Sequence, residues 1–318
     1  MYLSVCIPFY NEAEQIELTL DTVEPIVRGI TADYELVLID DGSKDDTWNI
    51  IKKHAENDEH IHAIRFSRNF GKEAAISAAL DAAQGQAVVM MDGDLQHPPK
   101  YIPKMVELWE QGYDVVEGVK VKRGKESRTY QTLAQGFNNT FHRMTDMNLD
   151  NSSDFKLLDR KVVEAFQEFG ERNTFFRGLS SWLGFKHYEL PFEVEAREFG
   201  HSKWSFSSLA RLAVNAVTSF STVPLAIIFF IGLLFLIISL IVGIVTLVKY
   251  FQGAAVEGFT TVILLQLISG GAILTCLGLL GTYIGKIYQE VKGRPRYIKM
   301  EEIDNEETKN QADETNPD

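Results

Sequence analysis

The sequence predicts an α/β domain with a mostly parallel sheet, followed by an interfacial amphipathic helix and two transmembrane helices. Three observations carry that reading. Short runs rich in Val and Ile alternate with amphipathic stretches through the front half of the chain. Polar clusters follow the apolar runs. Two long stretches in the back half hold no charged residue.

The apolar runs Leu3 to Pro8, Glu35 to Ile39, Ile61 to Phe66, Ala87 to Met91 and Asp114 to Val119 are short enough for strands. Between them, Glu12 to Val27, Thr47 to Ala55 and Lys72 to Ala83 have helical patterns. Strand alternating with helix implies a parallel sheet covered on both faces. Ligands of such sheets bind beyond the carboxyl ends of the strands. Tyr10-Asn11-Glu12, Asp40-Asp41-Gly42-Ser43, Arg68 to Lys72 and Asp92-Gly93-Asp94 all stand at such ends.

From Ser205 to Ser221, Phe206, Leu209, Leu212, Ala213, Ala216 and Phe220 recur at helical spacing, as in a helix lying in a membrane interface. A core helix of the soluble domain is the alternative. Leu212 to Val248 and Gly258 to Gly285 contain no charge. Each exceeds the roughly 20 apolar residues that cross a bilayer as a helix, which places spans near Val223 to Val248 and Thr261 to Gly285. Lys249 is the only basic residue of the intervening loop, whereas Lys286, Lys292, Arg294, Arg296 and Lys299 follow the second span. That bias predicts both ends of the pair on the cytoplasmic side of a cell membrane. Tyr2 to Phe9 is too short and lacks the basic front of a signal peptide, so the first 200 residues are expected to stay in the cytoplasm. Gly281 and Gly285, four apart, allow close helix packing and so a homo-oligomer, or merely contact with the neighbouring span. Trp204 and Tyr283 suit interface anchors.

The net charge of −13 argues against a nucleic-acid partner. About half of it lies in residues 301 to 318, where eight acids and one Lys read as a disordered, solubilising tail. The domains expected are therefore residues 1–204 for catalysis, 205–221 for the interfacial helix, 222–286 for the two spans and 287–318 for a basic then acidic disordered tail. Two cysteines, Cys6 and Cys276, give neither a disulfide framework nor a metal cluster. His54, His60 and His62 show no zinc spacing, and His97 either touches a ligand or is structural.

Asp92, Asp94 and Gln96 alternate behind the most apolar strand, so their oxygens can converge on Mg2+ or Mn2+, hard cations that also bind diphosphates. A surface turn is the plainer reading of a lone Asp-x-Asp. Asp40 to Ser43 suits a turn as well as a ligand site, with Asp45 or Asp46 capping the next helix. Tyr10 to Glu12 could likewise be only a strand end.

Taken together the motifs are more specific. Val5-Cys6-Ile7-Pro8-Phe9-Tyr10-Asn11-Glu12, Asp40-Asp41-Gly42-Ser43, Ser67-Arg68-Asn69-Phe70-Gly71-Lys72 and Asp92-Gly93-Asp94-Leu95-Gln96-His97-Pro98-Pro99 occur in order. This set resembles the inverting family-2 glycosyltransferases of the A-type fold, in particular the polyprenyl-phosphate glycosyltransferases. These include the dolichol-phosphate mannose synthase type and the bacterial undecaprenyl-phosphate type with two spans. The resemblance covers about residues 1 to 300. It implies that Pro8, Tyr10, Glu12, Asp40, Asp41, Lys72 and Asp92 bind a UDP-linked sugar, and that Asp92, Asp94 and Gln96 hold the metal. It places Asp94, Asp154 and Arg128 in catalysis. Arg123, Arg128, Arg197, Ser202 and Lys203 would then bind the lipid phosphate, Ser202 and Lys203 lying in Gly200-His201-Ser202-Lys203-Trp204. Lys120, Lys122, Arg123, Lys125 and Arg128 form a basic stretch suited to a phosphate, or to anionic lipid heads at large.

A phosphate acceptor changes the chemistry required. Its dianion is already a nucleophile near neutral pH, so positioning and charge neutralisation suffice. Asp154 is then a base, an orienting group or a helix cap. A processive polysaccharide synthase would need more spans and a Gln-x-x-Arg-Trp signature, and neither is present. A dinucleotide oxidoreductase would need glycines where Pro8 to Glu12 has none. A non-catalytic membrane scaffold would not need the acidic motif, which is intact.

Overall fold

The computed structural model describes residues 1–120, 152–168, 176–193, 223–252 and 258–304. These divide into two compact units, one drawn from Met1–Ser205 with Pro295–Asp318 and one from Phe206–Arg294.

The first unit is an eight-stranded sheet among the described residues. Its strands are β1 (Leu3–Phe9), β2 (Tyr34–Asp40), β3 (Ile61–Phe66), β4 (Ala87–Met90), β5 (Val115–Lys120), β6 (Ser152–Asp159), β7 (His187–Phe192) and β8 (Lys299–Ile303). They lie in the order β7-β5-β6-β4-β1-β2-β3-β8. Pairs β1–β2, β1–β4, β2–β3 and β5–β7 are parallel. Pairs β4–β6, β5–β6 and β3–β8 are antiparallel, so the sheet is mixed with a parallel centre.

All seven residues of β2 are buried, as a strand covered on both faces requires. Alternation assigns the side chains to two cores. Leu3, Val5, Ile7 and Phe9 of β1 join Leu36 and Leu38 on one face. Cys6, Val37 and Ile39 point to the other. Helix α1 (Ala13–Ile30) covers the first face with Ile16, Leu20, Val23 and Val27, one stripe at helical spacing. Trp48, Ile51 and Ala55 of α2 (Thr47–Ala55) join it there, as do Ile102 and Met105 of α4 (Ile102–Glu110). Helix α3 (Lys72–Ala82) covers the second face with Ala75, Ile76, Ala79 and Leu80. It is assisted by Val162, Val163 and Phe166 of α5 (Arg160–Glu168) and Phe176 of α6 (Phe176–Trp182).

Two expectations need correction. The tail does not begin directly behind the second span: residues 299–303 form β8 on the edge of the sheet. Glu301 there accepts hydrogen bonds from Trp48 Nε1 at 3.1 Å and Lys52 Nζ at 3.2 Å, and Glu302 lies 3.0 Å from His62 Nε2. Net charge had made this segment read as disordered, but an antiparallel partner and the cations Lys52 and Arg65 beside Glu301 order it. Residues 305–318 lie outside the described residues. Asp154 is not a helix cap, because it stands inside β6.

The second unit consists of α7 (Val223–Phe251) and α8 (Phe259–Val291). Within them Leu225–Thr246 and Leu265–Val291 are long and apolar enough to cross a membrane, with mean hydropathies of 3.3 and 1.8 and none of either segment buried. At 1.5 Å per residue the 22-residue segment is about 33 Å long, against a hydrocarbon core of about 30 Å. Phe229, Leu236 and Leu274 are each two-thirds exposed or more, a surface suited to lipid. A Cβ added at Gly278, Gly281 or Gly285 would meet nothing, so the neighbouring helix makes no use of these small positions. The interfacial helix expected at 205–221 lies outside the described residues.

Candidate active site at the carboxyl edge of the sheet

The turns behind β1 and β2 are tied together. Asn11 adopts φ 52, a left-handed conformation its short amide side chain tolerates. Its backbone N–H donates to Ser43 Oγ at 2.9 Å, and its Oδ1 accepts from the Lys44 N–H at 2.9 Å. Glu12 N–H donates to Thr47 Oγ1 at 3.0 Å. Asp45, rather than Asp46, serves the helix starts: it accepts from Thr47 Oγ1 at 2.6 Å and from the Ala13 N–H at 3.3 Å.

Asp40 and Asp41 turn inward. Asp40 is fully buried, accepts from the Ser43 N–H at 2.9 Å and faces Arg65 Nε at 3.4 Å. Asp41 accepts from the backbone N–H groups of Phe70 at 2.7 Å and Gly71 at 3.0 Å, and from the Asn69 amide at 2.8 Å. Its carboxylate therefore organises the Asn69 to Gly71 loop. Burial outweighs these donors and pushes the Asp41 pKa up to about 6. Gly42 has φ +65, and a Cβ there would lie 2.3 Å from the Arg68 carbonyl carbon, so this crossing admits only glycine. Tyr10 is 38% exposed and Pro8 and Glu12 are half-buried, which leaves these three on the accessible rim.

The acidic motif stands in the turn after β4, which ends at Met90. Strand alternation therefore does not orient Asp92, Asp94 and Gln96; the turn does. Asp92 N–H donates to His97 Nδ1 at 3.3 Å, and Gln96 N–H to Asp94 Oδ1 at 3.1 Å. His97 is 2% exposed and stacks on Phe155 at 5.5 Å. Since Nδ1 accepts, the ring is neutral with its proton on Nε2, and burial lowers its pKa despite nearby Asp92. The carbonyl of Gly93 is held by Thr19 Oγ1 at 2.6 Å.

A charged cluster joins this turn to β6, α3 and α6. Lys72 Nζ lies 2.5 Å from Asp92 Oδ1 and 2.6 Å from Asp154 Oδ2. Arg177 forks onto Asp154, Nε to Oδ1 at 2.7 Å and Nη2 to Oδ2 at 2.8 Å. Burial alone would raise the Asp154 pKa, but Lys72 and Arg177 outweigh it and hold the carboxyl well below the usual range. Burial pushes Glu73 up to about 7, while its Oε2 accepts the Phe176 N–H at 2.9 Å. Lys120 is lowered by burial and by Arg177. Behind the cluster, fully buried Lys156 pairs with Glu117 at 3.1 Å.

The profile of glycosyl transferase family 2 matches residues 4–166, from β1 into α5. The chain belongs to this family. An uncharacterized glycosyltransferase of Bacillus subtilis is 37% identical over 93% of the chain and 92% of its own length. The SfII prophage-derived bactoprenol glucosyl transferase of Shigella flexneri is 37% identical over 94% of the chain and 97% of its own. The bactoprenol glucosyl transferase of Shigella phage SfX is 36% identical over 94% and 98%. Among solved structures, glucosyl-3-phosphoglycerate synthase from Mycobacterium tuberculosis covers 68% of the chain at 21% identity and a TM-score of 0.47.

Of the residues singled out in this family-2 chain, Asp92, Lys72 and Asp154 meet directly and Asp94 lies in the same turn as Asp92. Asp40 and Asp41 act from beneath the surface. Arg123, Arg128, Arg197, Ser202 and Lys203 lie outside the described residues. Sequence reasoning missed Arg177 and Glu73. The signal for Arg177 was a single cation in the otherwise apolar Phe175-Phe176-Arg177-Gly178-Leu179, a placement that demands a buried counter-charge. Among the described residues no three His, Cys, Asp or Glu side chains gather as a metal centre. Mg2+ and Mn2+ do not need one, since one or two carboxylates, waters and substrate phosphates complete their shell. The half-buried Asp92 and Asp94, with the Gln96 amide, fit that requirement.

Proposed function

We propose that this glycosyltransferase moves a hexose, glucose or N-acetylglucosamine, from a UDP-sugar to undecaprenyl or another polyprenyl phosphate with inversion. The product would be a lipid-linked sugar for building the cell envelope. The observation that carries the reading is the likeness, over more than nine-tenths of both lengths, to proteins named bactoprenol glucosyl transferase. Two unburied helices long enough to cross a membrane support a lipid acceptor.

In this reading residues 1–204 form the catalytic domain on the cytoplasmic side, 205–221 an interfacial helix, and 222–286 the spans, with both termini cytoplasmic. Pro8, Tyr10 and Glu12 line the nucleoside pocket, and Asp41 and Asp40 hold its loops. Asp92, Asp94 and Gln96 hold Mg2+ or Mn2+, which when bound neutralises the departing diphosphate. The lipid phosphate binds Arg123, Arg128, Arg197, Ser202 and Lys203. An oxygen of that phosphate attacks the anomeric carbon as the bond to the UDP oxygen breaks, and one displacement inverts the centre. Asp154 orients rather than accepts a proton: held ionised far below neutral pH, it is too weak a base. The phosphate dianion needs no base.

The test is incubation of membranes with radiolabelled UDP-glucose or UDP-N-acetylglucosamine, followed by lipid extraction. A single sugar on lipid, labile to mild acid, is expected. An acid-stable or polymeric product would overturn the reading and favour a polysaccharide synthase. Asp94→Ala should nearly abolish transfer, and Arg128→Ala should raise the KM for lipid far more than for nucleotide sugar.

A further inference from the structure

Lys72 occupies the place in the acidic edge where a cation is needed. One ammonium bridges Asp92 from the β4 turn and Asp154 from β6, at 2.5 and 2.6 Å. The two carboxylates do not depend on it equally. Both oxygens of Asp154 are already forked by Arg177. Asp92 Oδ2 lies 3.6 Å from His97 Nδ1, a nitrogen that accepts from the Asp92 backbone and has no proton to offer. Lys72 is thus the principal counter-charge of Asp92, whereas at Asp154 it shares that role with Arg177.

Lys72 can also leave. It opens α3 behind Gly71, whose φ is 99, and its side chain is 42% exposed, against 6% for Asp154. A flexible four-carbon stem ending in a point charge can be redirected without breaking a fork, as Arg177 cannot. Charge balance gives the move a direction. Asp92, Asp154, Lys72 and Arg177 cancel as they stand. A divalent cation arriving alone would crowd two more positive charges against Lys72. A cation arriving with a diphosphate brings the anion onto which Lys72 can swing, freeing Asp92 Oδ1.

We propose that Lys72 is an internal counter-cation that holds Asp92 in the donor-free enzyme and moves to the donor diphosphate on binding, making metal affinity conditional on the nucleotide. The proposal rests on the reading above that Asp92 and Asp94 hold the metal.

The test is Mn2+ titration of the purified full-length protein in detergent, with free Mn2+ read by electron paramagnetic resonance, with and without UDP. Wild type should bind Mn2+ weakly alone and more tightly with UDP, by a factor of about 10 to 100, the usual range for coupled sites. Lys72→Met should bind Mn2+ alone about tenfold tighter and lose most of the UDP dependence. Lys72→Arg, which keeps the charge but holds it in a fork, should bind Mn2+ alone as weakly as wild type and gain less from UDP. Lys72→Gln repeats the test should the Met variant unfold, and thermal melting verifies the fold of each. Folded Lys72→Met or Lys72→Gln with unchanged or weaker Mn2+ affinity overturns the proposal alone, provided wild type binds Mn2+ in the presence of UDP. Wild type that binds no Mn2+ even with UDP overturns the metal reading and this proposal together.

Discussion

Gly93 offers a direct test of how the acidic turn is held. A Cβ built there would lie 2.4 Å from Phe9 Cε1 and 2.7 Å from Cδ1. Carbon atoms pack best at about 3.5 to 4.0 Å, so Gly93→Ala demands a displacement of about 1 Å. Phe9 is 1% exposed and packed in the core, so its ring cannot supply that movement. The turn must move, and with it Asp92 and Asp94 on either side. Overpacking of this kind costs about 1–3 kcal/mol. A misplacement of about 1 Å at reacting groups can cost about a hundredfold in rate. Gly93→Ala should therefore lower the unfolding free energy by about 2 kcal/mol and cut lipid-linked sugar formation by roughly a hundredfold. Adding Phe9→Ala removes the obstructing ring, so the double variant should recover part of the activity lost by Gly93→Ala. Urea unfolding and the lipid-extraction assay measure the two effects. Full activity in Gly93→Ala, or a double variant no better than the single one, would refute the argument.

Other expectations follow from the charged cluster and the edge strand. The folded-state pKa of Glu73, raised from 4.5 to about 7, means that the native protein holds this proton more tightly than the unfolded chain. Its contribution is fully present below pH 4.5 and is lost as pH rises to 7, by up to about 3 kcal/mol. Glu73→Gln should flatten the pH dependence of urea unfolding over that window, and an unchanged slope would refute the assignment. Arg177→Lys keeps a charge but not the fork, and should slow transfer by about tenfold, whereas Arg177→Met should cost about 3 kcal/mol by leaving Asp154 half-paired. Glu301→Ala strands the indole N–H of Trp48, 2% exposed, and should lower stability by about 1–2 kcal/mol in urea unfolding.

The parts of the fold that were legible share one property: their signal is local. Strands β1 to β5 are short, largely apolar runs, and α1 and α2 have a periodic face, so each of these elements can be read without its partners. Strands β6 to β8 could not be read that way. β6 carries Lys156 at full burial, tolerable only because Glu117 on neighbouring β5 pairs with it. β7 contains Pro191, which a sheet accepts on an edge strand, and β7 is one edge. β8 carries two glutamates and a lysine, and its order comes from β3 and α2, more than 230 residues earlier in the chain.

The same distinction divides the site. Asp92 and Asp94 announce themselves by position, because a carboxylate pair behind a buried strand sits where an α/β sheet binds ligands. What they do depends on charges from elsewhere in the chain. Asp154 is a poor base only because Lys72 and Arg177 converge on it, from α3 and α6, 82 and 23 residues away. On the proposed reading, a chain of net charge −13 must concentrate cations locally to bind its anionic donor. It does so here by drawing Lys72, Lys120 and Arg177 from three separate elements into one patch. Arg177 is forked onto buried Asp154 and so fixed before a ligand arrives, whereas Lys72 is the cation placed to move. On the proposed reading, a donor phosphate then meets the charge of Arg177 already oriented and is joined by Lys72 on binding. Such preorganisation makes chemistry without a general base feasible at this edge.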